Sequence, residues 1–107
     1  MPITGPDVLL YEKKDRIVQI TLNRPERMNA LSLELMERVY DSFQRFRDDD
    51  DAWVAVVTGA GDKAFCTGFD LMDQSERDKK GIGFPKPGQM PQISELEVWK
   101  PIIAAIN

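Results

Sequence analysis

The run Trp53-Val54-Ala55-Val56-Val57-Thr58 constrains this chain more than any other feature. It is almost continuously apolar and rich in β-branched residues. Four consecutive aspartates, Asp48–Asp51, precede it, and Gly59-Ala60-Gly61-Asp62 follows it. A run of this kind predicts a strand covered on both faces, as in parallel sheets whose connections are helices.

The flanking sequence fits that expectation. Val8–Lys13 and Arg16–Leu22 predict a hairpin turning at Lys14-Asp15. Asn23-Arg24-Pro25-Glu26 ends the second strand, because Pro25 cannot donate to a ladder and biases Arg24 towards extended backbone. Ser32 is suited to cap a helix, with Glu34 and Glu37 placing negative charge in its first turns. Leu35, Met36, Val39, Phe43 and Phe46 form one apolar stripe at helical spacing, ending near Arg47. The aspartate run beyond opposes the helix dipole and reads as a solvated turn. A calcium loop would need alternating ligands and a distal Glu.

Phe65–Asp73 contains Gly68 and predicts a loop leading into a short helix, followed by the charged stretch Gln74–Lys80. Gly81–Pro91 holds three Gly and three Pro in eleven residues and is expected to be a loop. Ser94-x-x-Glu97 has capping-box spacing and predicts a short helix through Lys100. Pro101 then introduces Ile102–Ile106 as a second buried strand. Trp53 and Trp99 are expected in the core. The order is α/β, with residues 1–107 as one unit, and a strand–helix–strand crossover implies a parallel pair. Doubly covered strands need layers on both faces, and few helices are available to supply them. The sequence therefore reads as an incomplete fold.

Composition narrows the chemistry. Fourteen basic and eighteen acidic residues give a net charge of −4, so no basic field exists to hold a nucleic acid. There is no histidine, which removes His-based triads and His–metal ligands. A single cysteine, Cys66, excludes an internal disulfide framework and a cysteine-based zinc site. No metal is expected. Residues 1–7 lack a basic segment followed by an apolar core, and Ile102–Ile106 is too short to span a bilayer. A cytoplasmic protein with no membrane partner is the expectation, and the unpaired cysteine agrees.

The most specific segment for chemistry is Ala64-Phe65-Cys66-Thr67-Gly68-Phe69-Asp70-Leu71. Gly68 permits unusual dihedrals and close backbone approach. A glycine-containing turn entering a helix presents open N–H groups suited to a developing oxyanion. The same residues also suit an ordinary strand-to-helix loop with Asp70 as its cap. Gly59-Ala60-Gly61-Asp62-Lys63-Ala64 has dinucleotide-fingerprint spacing, but no helix can start in its glycines with Gly68 following so soon. Cys66 has no histidine to activate it and reads as a small apolar filler.

Taken in order, these segments resemble the enoyl-CoA hydratase/isomerase (crotonase) family. The resemblance rests on Ile20-Thr21-Leu22-Asn23-Arg24-Pro25-Glu26 with Asn29-Ala30-Leu31, on Val56-Val57-Thr58-Gly59, on Ala64–Leu71, and on Lys100-Pro101-Ile102-Ile103-Ala104-Ala105-Ile106-Asn107. It implies the N-terminal part of a spiral of ββα units that binds acyl-CoA thioesters, with two backbone N–H groups polarising the thioester carbonyl. The first of these would be the amide of Phe69. Glu26, Arg27 and Met28 would line the CoA entrance, with Arg27 facing a phosphate. Cys66, Thr67, Gly68, Asp70 and Leu71 would lie along the bound CoA ester. Trans-2-enoyl-CoA hydration is the expected reaction, with the CoA thioester as substrate and no separate cofactor. A truncated, non-catalytic segment that only binds CoA esters or a partner subunit is the alternative. The resemblance also implies a homotrimer or hexamer. It places the second donor and the acid/base glutamates beyond Asn107. Phe69 departs from the small residue often found at its position, and its side chain would reshape the acyl pocket.

Overall fold

Asp15 and Arg16 both adopt left-handed backbone, with φ of 51° and 68°. Two such residues in succession make the tight turn that matches strand twist. They join β1 (Leu9–Lys14) to β2 (Ile17–Leu22) as an antiparallel hairpin. The computed structural model describes residues 7–83 and 93–107. After β2 come a 3₁₀ turn at Pro25–Arg27, helix α1 (Leu33–Asp48), strand β3 (Val54–Gly59), helix α2 (Leu71–Lys79), a second 3₁₀ turn at Ile93–Glu95 and strand β4 (Ile102–Ala105). The sheet order is β1-β2-β3-β4, with β2/β3 and β3/β4 parallel. The crossover through α1 therefore gives the expected parallel pair.

Helix α1 starts where its cap predicts. The Ser32 side chain accepts a hydrogen bond from the Leu35 N–H at 3.1 Å. Its buried residues are Leu33, Leu35, Val39, Ser42 and Phe46, and of these Leu35, Val39 and Phe46 join Val18, Ile20, Leu22, Ala55 and Val57 of the sheet in one apolar core. Met36 and Phe43 flank this stripe half-buried rather than within it. Ser42 is tolerated inside because its hydroxyl donates to the Val39 carbonyl at 2.8 Å.

Three expectations about burial need correction. In β3 only Ala55, Val57 and Gly59 are buried, while Val54, Val56 and Thr58 are half-buried. All four residues of β4 are exposed. Helix α1 covers one face of the sheet, and apolar composition alone does not supply a cover for the other. Nor are the tryptophans core residues. Trp53 is 59% exposed and lies beneath the Arg16 guanidinium, 4.5 Å from its ring centre, while Trp99 is 89% exposed.

The helix expected from Ser94 to Lys100 is a single 3₁₀ turn, Ile93–Glu95. So short a segment before Pro101 cannot recover the cost of helix nucleation, and Pro101 disfavours helical backbone at Lys100. Lys100 serves α1 instead. Its Nζ donates to the carbonyls of Phe46 at 2.8 Å and Asp49 at 2.6 Å, adding a charged donor to acceptors at the helix end that also receive the N–H groups of Asp49 and Ala52. Asp49 and Asp51 are not merely solvated either: Lys13 bridges to both, at 2.8 and 3.6 Å. Of the loop expected over Gly81–Pro91, residues 84–91 lie outside the described residues. Among the described residues, no helix is long and apolar enough to cross a membrane.

Candidate functional site

The segment after β2 folds back on itself. Pro25 begins the 3₁₀ turn, and Met28 and Asn29 follow with φ of 54° and 56°. Asparagine tolerates this left-handed region better than most residues. Asn29 is fully buried, and both ends of its side chain are used. Its Oδ1 accepts from the Arg24 N–H at 2.9 Å, and its Nδ2 donates to the carbonyls of Ala60 at 3.1 Å and Ala64 at 2.9 Å. The turn is thereby tied to the loop that leaves β3.

That loop passes Gly68, whose φ is +94°, and reaches Phe69. Phe69 and Leu31 form an isolated parallel bridge. The Leu31 N–H donates to the Gly68 carbonyl at 2.7 Å, and the Asp70 N–H donates to the Leu31 carbonyl at 2.9 Å. In a parallel bridge the partner bonds the residues on either side, so the central residue's own N–H points to the opposite edge. The Phe69 N–H has no protein partner among the described residues, and Phe69 is 64% exposed.

Asp70 does cap the helix that follows. Its Oδ1 accepts from the N–H groups of Met72 at 3.0 Å and Asp73 at 3.1 Å, so neither is an open donor. Its Oδ2 meets Arg24 Nη2 at 2.8 Å, in an ion pair whose side chains are only 12% and 5% exposed. With both oxygens engaged, Asp70 has no role as a free base. Arg24 Nη1 also donates to the Ala30 carbonyl. Asp73 reaches back to accept from the Leu33 N–H at 3.1 Å, capping α1 from α2.

The Arg24 hydrogen bond holds the Asp70 carboxyl below its ordinary value of 3.8, against the opposing effect of burial, and the Asp73 N–H adds to the depression. A carboxyl depressed in the folded state contributes stability above its unfolded pKa and loses it as pH falls through the folded one. The advantage of the wild type over Asp70→Asn is therefore expected to be complete near neutrality and to shrink below about pH 4. Urea midpoints across pH 2.5–7 check this. A constant difference would contradict the ion-pair account.

The other residues singled out in the sequence gather around this bridge. Glu26 and Arg27 are exposed on the 3₁₀ turn, and Met28 is exposed just after it. The Thr67 hydroxyl lies 3.4 Å from the Met28 carbonyl, and Arg27 Nη1 lies 3.6 Å from Met72 Sδ. Cys66 is half-buried against the core beside Phe65, and Leu71 is exposed. A cavity of about 200 Å³ adjoins the turn, lined by Pro25, Met28, Asn29 and residues 60–64. A larger one, about 440 Å³, lies between β1 and α1 and touches none of the candidate residues.

The sequence profile of the enoyl-CoA hydratase/isomerase family matches residues 12–107. The chain belongs to this family. It is 40% identical, over its whole length, to an (E)-benzylidenesuccinyl-CoA hydratase from Thauera aromatica, of which it covers 40%. It is 36% identical over 85% of its length to a carnitinyl-CoA dehydratase from Proteus mirabilis, of which it covers 34%. Among solved structures, a probable enoyl-CoA hydratase/isomerase from Mycobacterium abscessus superposes with a TM-score of 0.76 at 30% identity. That match covers 96% of this chain and 38% of the other. The chain thus spans about two fifths or less of the length of these relatives. Its mixed α/β sheet and helices match the N-terminal part of the crotonase fold.

Within this member of the enoyl-CoA hydratase/isomerase family, the sequence points to Phe69 and its neighbours but marks no role for the contacts made by Arg24, Asn29 or Asp73. An Asn following a turn-forming Pro25 is a usable signal for left-handed backbone. The Arg24–Asp70 pair joins positions 46 residues apart, and no local pattern marks it.

Proposed function

We propose that this chain holds an acyl-CoA thioester and that the Phe69 N–H donates to its carbonyl oxygen, stabilising the enolate-like charge that develops there. The observation that carries this reading is the open Phe69 amide, fixed by the Leu31 bridge on the edge away from its partner. A fixed donor aimed at developing charge is worth about 3–4 kcal/mol in the transition state. Glu26, Arg27 and Met28 border the CoA entrance, with Arg27 placed for a phosphate. Backbone around Cys66, Thr67, Gly68 and Asp70 runs beside the CoA chain, and Leu71 adds apolar surface. The reaction favoured is hydration of a trans-2-enoyl-CoA. The names of both curated relatives, a hydratase and a dehydratase of CoA esters, support water addition or removal. This chain's share is binding and polarisation. We place the protein in the cytoplasm, as a trimer or hexamer, needing no cofactor beyond the CoA thioester.

The alternative role is binding of CoA esters without turnover. Calorimetry with crotonyl-CoA, beside a hydration assay, separates the two roles. Absence of binding overturns both.

The donor itself is tested with crotonyl-CoA carrying ¹³C at the thioester carbonyl. Polarisation by an N–H shifts the bound carbonyl resonance downfield. Phe69→Pro, which lacks the N–H, is expected to abolish that shift at saturation, while Phe69→Ala retains it. A full shift in Phe69→Pro would show that another group is the donor.

A further inference from the structure

We infer that Arg24 is the positioning residue for the Phe69 amide, holding the Leu31–Phe69 bridge in the register that turns that N–H outward. The inference rests on the function proposed above. The bridge consists of two hydrogen bonds and belongs to no named strand. A pairing so short is marginal on its own. A slip of one residue would turn a different amide towards the open edge. What spans it is the Arg24 guanidinium. Nη1 donates to the carbonyl of Ala30, the residue before Leu31, and Nη2 donates to the carboxylate of Asp70, the residue after Phe69. One planar group therefore grips both strands of the bridge, each at a residue adjacent to the bridged pair.

The grip is anchored at its own end. The Arg24 N–H donates to Asn29 Oδ1, and its carbonyl accepts from the N–H groups of Arg27 and Asn29, at 2.9 and 2.8 Å. Pro25 fixes the backbone that follows. Asp70 is held in turn by its bonds to Met72 and Asp73, and Asp73 is bonded to the Leu33 N–H just beyond Leu31. A guanidinium meets two acceptors in one plane, whereas an ammonium is a point charge on a flexible stem. Lysine at position 24 would keep the charge opposite Asp70 but would offer Ala30 and Asp70 one nitrogen on a flexible stem, a looser grip than two N–H groups fixed in one plane.

The test compares wild type, Arg24→Lys and Arg24→Met, each saturated with the carbonyl-labelled crotonyl-CoA, and measures affinity for free CoA separately. The bound-carbonyl shift is expected to fall in the order wild type, Arg24→Lys, Arg24→Met. The methionine variant should lose at least half of the shift, while affinity for free CoA changes less than threefold. A purely structural role would lower the folded fraction without changing the shift of bound ligand. If Arg24→Met does not fold, Arg24→Lys decides alone. A wild-type shift in either folded variant overturns the inference and leaves the proposed function standing. Absence of a shift in the wild type overturns the proposed function, and this inference with it.

Discussion

Gly59→Ala is expected to destabilise the chain by about 3 kcal/mol or more, at or beyond the upper end of the usual cost of overpacking. Gly59 ends β3 and is buried. A Cβ built on it would lie 2.7 Å from Asn29 Nδ2, 2.7 Å from the Phe65 carbonyl oxygen and 2.8 Å from that of Ala64. Two of these three neighbours are backbone and cannot rotate away. The third, Asn29 Nδ2, cannot move without giving up its bonds to Ala60 and Ala64. The cost is steric and does not arise from backbone strain. Urea unfolding followed by circular dichroism measures it. A loss under 1 kcal/mol would mean that the loop leaving β3 yields far more easily than its contacts indicate.

Asn29→Asp is expected to cost about 3–5 kcal/mol at neutral pH, although the two side chains have nearly the same shape. The new carboxylate would still accept from the Arg24 N–H. Its second oxygen, however, would replace a donor that faces the Ala60 and Ala64 carbonyls in a fully buried position. That leaves acceptors facing an anion without a proton between them, the situation in which one buried polar substitution is most damaging. The pKa shift of the introduced acid is opposite in sign to that of Asp70, although both deficits shrink on acidification. Burial and the facing carbonyls raise the folded pKa of the introduced acid above its unfolded value. The deficit is therefore smallest below about pH 4 and grows as pH rises through the folded pKa. Stability that does not improve on acidification, relative to wild type, would contradict this placement of Asn29.

Much of the architecture is written locally. Ser32 and the stripe from Leu35 to Phe46 specify α1, and the β-branched runs specify the hairpin and β3. Gly68 with Asp70 specifies the entry to α2. Burial was less legible. The apolar residues of β3 and β4 record what those strands tolerate on each face, not what lies over them, so half-buried Val56 and exposed Ile103 looked alike in the sequence. At the site, the Phe69 segment was visible because its glycine and capping acid are adjacent in the chain. Arg24 and Asn29 lie within a recognisable motif, yet their roles depend on partners 46 and 31 to 35 positions away. Such pairings leave no periodic trace.

The two asparagines at the loop after β3 carry a kinetic consequence. Asn29 Nδ2 and Asn107 Nδ2 both donate to the Ala64 carbonyl, from 35 positions before it and 43 after it, and Asn107 also reaches the Gly61 carbonyl at 2.8 Å. Each contact closes a long stretch of chain and returns little until the others are made. The hairpin and α1 can therefore assemble early, while the loop waits for segments that arrive from opposite directions along the chain. Substitutions at Asn29 and Asn107 should act mainly by speeding unfolding, so the region that presents the Phe69 amide is the last to set and the first to open.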